Sequence, residues 1–383
     1  MNIPAEFDEI RPYTPEELPR VYDELAEDPA FKRAITYVFP QLSYEMFVAR
    51  MKQCRTNEEF QITFCKPFLE GLLKEHSAGG SWNFEALEPR TLPCTFISNH
   101  RDIVLDSAFL SIFQVADGAQ TPEIAIGDNL LIEPWIKKLV RVNKSFIVQR
   151  SLTMREMLAS SKRLSEYIHY VIAVKNNPVW IAQREGRAKD SNDHTQESVL
   201  KMLAMGGEGS VKERLISLNI VPLALTYEYD PCDYLKAQEF QQKRDNPDFK
   251  KSQHDDLVNM GTGIFGYKGH VHDEAAPCIN EAIAALDDNM PKNELFEEVA
   301  RMIDRGIYSR YAIYPVNYIA YEELTGDHRF AAKCSQEERE KVMNYLAQRV
   351  EMVELPTKDE IFLRHKILEM YANPLINQIK AAE

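Results

Sequence analysis

From about residue 90 to residue 227 the chain alternates short β-rich runs with longer helical stretches, and this alternation restricts it to few architectures. Cys94-Thr95-Phe96-Ile97-Ser98 reads as a buried strand followed by a helix from Asp106 to Val115. Pro122 to Ile126 and Ser145 to Val148 read as the next two strands. A long helix from Thr153 to Val174 separates the third strand from Val179-Trp180-Ile181-Ala182. Ile220 to Tyr227 completes the series, and His270-Val271-His272 adds a short edge strand. Apolar runs of four to eight residues, too short for helices and joined by helical segments, predict an α/β sheet with helices on both faces.

The flanks have a different texture. Val21 to Tyr37, Tyr44 to Cys54 and Glu58 to His76 carry apolar residues at helical spacing, and Ser77-Ala78-Gly79-Gly80-Ser81 reads as the loop that ends this region. Asp230 to Met260 is polar and charged, as in a solvated insertion or helix, and the pattern is helical again from Ile279 to the end. The expected division is a helical region over 1–80, an α/β core over 81–280 and a helical region over 281–383. A chain of 383 residues can bury a core without a metal or disulfide staple.

Charge and cysteine usage exclude several classes. The formal net charge of −14 argues against a general nucleic-acid binder, which needs a broad basic face to displace counterions. Cys54, Cys65, Cys94, Cys232, Cys278 and Cys334 show neither C-x-x-C pairs nor ligand spacing, as expected of reduced thiols in a cytoplasmic protein. The polar, acidic start MNIPAEFDEIRPY has no secretory character, and no apolar run reaches the length of a membrane span. Any membrane contact is therefore expected to be peripheral, on the inner face.

The residues suited to chemistry sit after the strands, where open α/β sheets place their sites. Ser98-Asn99-His100-Arg101-Asp102 ends the first strand, and Asp106 follows at the helix start. A histidine there can take a proton from an alcohol while a carboxylate fixes its tautomer. The bland alternative is a buried histidine satisfied by a carboxylate. Gln183-Arg184-Glu185-Gly186-Arg187-Ala188-Lys189 follows the fourth strand; its cations suit a phosphate and Gly186 permits a sharp turn, or else it is a solvated loop. Arg150 ends the third strand, and Pro222 lies near the start of the fifth, suggesting an edge or strand entry.

In order and spacing, over residues 90–280, these blocks resemble the glycerol-3-phosphate and lysophosphatidate acyltransferases. That family carries an Asn-His with an Asp shortly after, a strand ending in Arg, a Glu-Gly-Thr/Gly-Arg loop and a strand with an early Pro. Here the blocks are Asn99 to Asp106, Phe146 to Arg150, Glu185 to Arg187 and Val221-Pro222. The resemblance implies a mixed sheet flanked by helices, with N- and C-terminal helical extensions. It also implies O-acyl transfer from acyl-CoA or acyl-carrier protein to a glycerol-phosphate-type acceptor in phospholipid synthesis. His100 would be the general base and Asp106 its orienting partner. Arg150 and Arg187 would bind the acceptor's anionic group, with Glu185 and Gly186 shaping that loop. Pro222 would support the pocket or acyl channel, and Asn99 and Arg101, flanking the base, fall in the substrate-binding set.

Two departures stand out. Five residues separate His100 from Asp106 where the family has four, and Asp102 lies only two after the histidine, so Asp102 is a second candidate partner. Ile103-Val104-Leu105 matches the family's apolar run and favours Asp106. Gln183-Arg184 replaces the family's usual Phe-Pro or Phe-Val before Glu185. The chain lacks a Gly-x-Ser-x-Gly elbow, in keeping with direct transfer and no acyl-enzyme.

Between residues 137 and 163, Lys137, Lys138, Arg141, Lys144, Arg150, Arg155, Lys162 and Arg163 face only Glu156 in sequence. Such a bias suits lipid headgroups, coenzyme A phosphates or an acidic carrier protein, unless it is simply a solvated face. Leu130 to Val142, with Trp135 beside Lys137 and Lys138, is the expected interfacial segment. His270 and His272 share one face of their strand, but no metal is expected, and Gly206-Gly207-Glu208-Gly209 reads as a turn. No cofactor is expected beyond the donor substrate. Rival readings are acylation of an amino-acid-derived hydroxyl lipid and non-catalytic lipid binding. Oligomeric state is not legible.

Overall fold

The structure, a computed structural model, describes residues 3–87, 89–150 and 153–383. Its centre is a seven-stranded sheet of β1 (Gly79–Asn83), β2 (Thr95–Ser98), β3 (Glu123–Gly127), β4 (Ser145–Val148), β5 (Val179–Ala182), β6 (Ile220–Tyr227) and β7 (His270–Ala275). The spatial order is β1-β7-β6-β2-β5-β3-β4. The five strands β6, β2, β5, β3 and β4 run parallel; β7 is antiparallel to β6, and β1 is parallel to β7. The α/β sheet expected from the alternation is therefore present, and it is mixed.

Five N-terminal helices, α1 (Leu18–Ala26), α2 (Pro29–Val38), α3 (Tyr44–Met51), α4 (Asn57–Phe60) and α5 (Lys66–His76), precede the sheet. The single helix expected over Val21–Tyr37 is two. Asp28 accepts from the backbone N–H groups of Ala30 and Phe31, and Pro29 at the first helical position starts a new helix. Within the sheet region lie α6 (Leu105–Ala116), α7 (Pro134–Val142), α8 (Met154–Tyr170), α9 (Glu197–Leu203) and α10 (Val211–Ile216). The charged insertion is two helices, α11 (Asp233–Asp245) and α12 (Gln253–Phe265). After β7 come α13 (Asn280–Ala284), α14 (Lys292–Tyr308), α15 (Pro315–Thr325), α16 (Gln336–Glu351) and α17 (Glu360–Ala382). No described helix is long and apolar enough to cross a membrane.

Side chains alternate across β2 and β5 as the pleat requires. Phe96 and Trp180 pack with Phe109 and Phe113 of α6 on one face, and Ile97, Val179 and Ile181 pack with α8, α9 and α14 on the other. Helix α14 therefore belongs to the sheet's own core.

Several expectations need correction. Gly79 to Ser81, read as a loop, opens β1; Gly80 lies under the Phe113 ring, where a side chain would collide. His270–His272 is not an edge strand, because β7 sits between β1 and β6. Pro222 is inside β6, not at an edge: its carbonyl accepts from Ala276, so its missing N–H faces β7 where that ladder is only beginning. The helix within Leu130 to Val142, expected to be interfacial, turns its apolar face inward. Trp135 packs on Phe31 with ring centroids 5.9 Å apart, and Leu139 and Val142 join the N-terminal core, so the apolar face of α7 is already covered.

Candidate active site

Strand β2 ends where its neighbour β6 continues, and Asn99 fills the gap. Its amide donates to the Leu225 carbonyl and accepts from the Leu225 N–H, both at 2.8 Å. Asn99 is wholly buried, so it extends the ladder with a side chain and cannot touch a substrate as expected. It fixes the exit direction of the loop that carries His100.

His100 Nδ1 lies 2.8 Å from Asp106 Oδ2. Its ring meets the edge of Trp180 at a centroid distance of 6.0 Å, and Trp180 Nε1 donates to Ser98 Oγ at 3.0 Å, which holds the indole in place. With Nδ1 engaged, Nε2 is the nitrogen available to a substrate; the side chain is 17% exposed.

Asp106 is nearly fully buried and accepts further bonds from the N–H of Arg101 at 2.7 Å, the N–H of Asp102 at 3.1 Å and the Tyr227 hydroxyl at 3.0 Å. Asp102 has another task. Its Oδ1 accepts from Val104 N–H and Leu105 N–H, both at 2.8 Å, capping the start of α6. Asp102 is thus not the partner of His100, and the turn it closes takes up the extra residue between His100 and Asp106. Burial, then the neighbouring Asp106, push the Asp102 carboxyl up, while backbone donors and Arg187 pull the other way. Burial and Asp106 likewise raise Tyr227 and the buried Asp273 of β7 well above their usual values.

Arg101, expected at the substrate, points into the core instead. Its guanidinium grips Asp193 with two bonds of 2.7 and 2.6 Å, and Tyr311 donates to the same carboxylate at 2.5 Å. A fork already saturated by a buried carboxylate has no donors to spare for a substrate anion. The Arg101 carbonyl accepts from buried Lys236 at 3.0 Å, and Lys236 is neutralised by Asp230. The loop is pinned on both sides of His100, by Asn99 before it and by Arg101 and Asp102 after it.

The expected anion-binding residues come to the same carboxyl edge of the sheet. Arg150 passes over Gly127, its backbone N–H donates to Asp128 Oδ1 at 3.2 Å, and its guanidinium lies 3.5 Å from the exposed Glu185. Gly186 has φ +68, a conformation that favours glycine, and turns the loop sharply. Arg187 then reaches Asn259 of α12 at 3.3 Å through Nη2, while its Nη1 is buried without a partner. The basic run of 137–163 does not form one face: Arg141 and Lys144 bond to buried carbonyls, and Lys138 and Arg163 pair with Glu24 and Glu9.

Pro222 does not line this site. It packs on the far side of β6 against α14, where Gly306 leaves room for the ring. His270 and His272 both face Ser81 Oγ at 2.7 Å, and His272 reaches Glu274 at 3.4 Å. Among the described residues no group of three metal-binding side chains converges. Trp180, Tyr227, Asp193 and Asn259 were not singled out in sequence. Trp180 and Tyr227 are the polar-tipped aromatics of β5 and β6, and only pairing with β2 reveals what they touch.

Neither protein-family models nor curated proteins match the chain. The functional reading therefore rests on the residues themselves.

Proposed function

We propose that the protein is an O-acyltransferase that moves a fatty acyl group from a thioester, acyl-CoA or acyl-carrier protein, to the hydroxyl of a glycerol-phosphate-type acceptor. The observation that carries this reading is the His100–Asp106 pair at the end of the central strand β2, with Asp106 held by two backbone N–H groups and Tyr227. A carboxylate fixed in this way cannot swing from the histidine, so it holds Nδ1 protonated and directs the basic Nε2 outward. Arg150 and Arg187, on the loops after β4 and β5, supply positive charge at the same edge for the acceptor's phosphate.

The acceptor hydroxyl gives its proton to Nε2 as its oxygen attacks the thioester carbonyl carbon. The resulting imidazolium is stabilised by Asp106. The tetrahedral intermediate collapses, the carbon–sulfur bond breaks, and the thiolate takes the proton back from His100. No charge or proton is left over, and no residue is acylated. Such a scheme suits a protein acting at the inner face of a membrane without spanning it.

A thiol-release assay tests this, with palmitoyl-CoA or palmitoyl-carrier protein as donor and glycerol 3-phosphate or 1-acylglycerol 3-phosphate as acceptor. Release should depend on acceptor and fall by about 10²–10⁴-fold in His100→Ala and Asp106→Asn. Hydroxylamine-sensitive acyl label accumulating on the protein would contradict direct transfer. Acceptor-dependent release only with a carboxylate-bearing hydroxyl lipid would move the acceptor class, since Arg150 and Arg187 suit a carboxylate equally well. Folded protein inert with every pair would favour the binding reading.

A further inference from the structure

The far face of the same sheet carries a second polar cluster. Val271 and Ala275 of β7 pack with Phe109 and Phe113 of α6, on the side that holds Asp106. Alternation along the strand turns His270, His272 and Glu274 the other way, and Ser81, paired with His272 in register, faces with them. Ser81 Oγ lies 2.7 Å from His270 Nε2 and 2.7 Å from His272 Nδ1. His272 Nε2 lies 3.4 Å from Glu274 Oε2, and Glu274 Oε1 accepts from Asn83 at 3.3 Å and from Arg310 at 3.0 Å. Ser81 is partly exposed, and the His272 and Glu274 side chains are 17% and 18% exposed, so solvent reaches the cluster.

A hydroxyl has one proton, so Ser81 donates to one of the two imidazoles and accepts from the other. Glu274 decides which. Its carboxylate accepts the Nε2–H of His272, which leaves Nδ1 bare to receive the Ser81 proton. His270 then donates its Nε2–H to Ser81 Oγ. Burial, and then His272, hold the His270 pKa below its usual value against the pull of Glu228, so it donates as a neutral ring. Nucleophile, base and orienting carboxylate stand in hydrogen-bond sequence, with the two ring nitrogens of the base exchanged relative to the usual order. The connection between α14 and α15 adds two buried donors with no acceptor. Arg310 Nε has no partner although its Nη1 bonds Glu274, and the Tyr314 hydroxyl has none although its ring lies 6.1 Å from that of His270. A cluster that only fastened the sheet edge would leave no buried donor unused; spare donors beside an activated hydroxyl suit a developing oxyanion.

We infer that Ser81 is the nucleophile of a second reactive site, with His272 as its base and Glu274 as the positioning carboxylate, acting on short-chain carboxylic esters. The groups around Ser81 are polar, which suits a short acyl chain rather than a fatty one. Ser81 Oγ attacks the carbonyl carbon as its proton passes to His272 Nδ1. The tetrahedral intermediate expels the alcohol, which carries that proton away. Water then gives a proton to His272 and attacks the acyl–Ser81 ester; the carbon–oxygen bond to Ser81 breaks and Oγ regains the proton. The site does not depend on the acyl transfer assigned to His100.

Labelling of the full chain with a fluorophosphonate, mapped by peptide mass spectrometry, tests this. Ser81 Oγ should displace fluoride and form a phosphonate ester, at a rate that falls at least about 100-fold in His272→Ala and less steeply in Glu274→Gln. Hydrolysis of p-nitrophenyl acetate should fall in parallel. These changes also remove hydrogen bonds from the sheet edge, so Ser81→Cys is the second variant. Its new thiol should react with iodoacetamide at neutral pH at least about tenfold faster in the folded chain than in urea, and adding His272→Ala should abolish the difference. No phosphonate on Ser81 in folded wild type, or labelling indifferent to His272→Ala, would overturn the inference. So would an introduced thiol that reacts no faster folded than unfolded. The label is read at Ser81 itself, so its outcome and that of thiol release at His100 are independent, and mapping separates an ester on Ser81 from any acyl label formed at the His100 site.

Discussion

Asp106 and Asp273 are both buried carboxyls near Tyr227, and the fold treats them in opposite ways. Asp106 accepts hydrogen bonds from His100, Tyr227 and two backbone N–H groups, whereas Asp273 Oδ2 has no partner and its carboxyl is held well above its usual range by burial and by Asp106. A carboxyl whose folded pKa is raised stays protonated in the folded chain while the unfolded chain ionises. The unfolded state then binds fewer protons, so stability falls as pH rises from the ordinary carboxyl range towards the raised value. Asp273→Asn, of the same shape without that ionisation, should raise the melting temperature at pH 7 by about 2 °C or more and flatten the acidic-to-neutral decline, read by thermal unfolding across pH. A lower melting temperature at every pH would mean that the ionised carboxylate has a stabilising partner. Sequence proximity made His100 and Asp106 legible at this scale. The bond from Tyr227 spans 121 positions and the Arg101–Asp193 pair 92, so neither could be read from local spacing.

At the scale of elements, the strands that announced themselves are the fully buried ones. Thr95–Ser98 and Ile220–Tyr227 are apolar runs whose composition alone sets them apart from helices. Strand β1 gave no such signal, because its glycines serve the approach of Phe113 and its partner β7 lies about 190 residues away. A similar close approach seats α14 on the sheet: a side chain at Gly306 would lie 2.7 Å from the Pro222 ring. Gly306→Ala should therefore destabilise the protein by about 1–3 kcal/mol in urea unfolding, even though alanine is the better helix former. Stabilisation instead would show that α14 can shift off β6 without loss. The basic run of 137–163 misled for the converse reason. Charge counted along a chain says nothing of which cations the fold buries, and Arg141 and Lys144 are held by carbonyls from Asp8, Arg11 and Thr121.

For the whole molecule, the C-terminal helices are tied to the insertion rather than appended to it. Buried Asp233 at the start of α11 is paired with Arg349 of α16 and accepts from Tyr345 at 2.8 Å and Tyr371 of α17 at 2.7 Å. Burial works to raise the Asp233 carboxyl, and Arg349 is its compensating cation. Arg349→Ala strands that charge and should cost about 3–5 kcal/mol, lowering the urea midpoint in a single transition. A loss confined to a separate early transition would mark residues 281–383 as an independent unit.

The sequence by itself determined the α/β core, the end of β2 as the place for chemistry, and His100 with two candidate carboxylates. These depend on short-range pattern, the alternation of buried runs with helices and the placement of polar residues after strands. Only the tertiary structure decided between Asp106 and Asp102, turned Asn99 and Arg101 inward, and covered the apolar face of α7. Each of those outcomes depends on which groups meet after burial. A buried donor, acceptor or charge must be satisfied by whatever the fold brings to it, and that partner has no fixed separation along the chain.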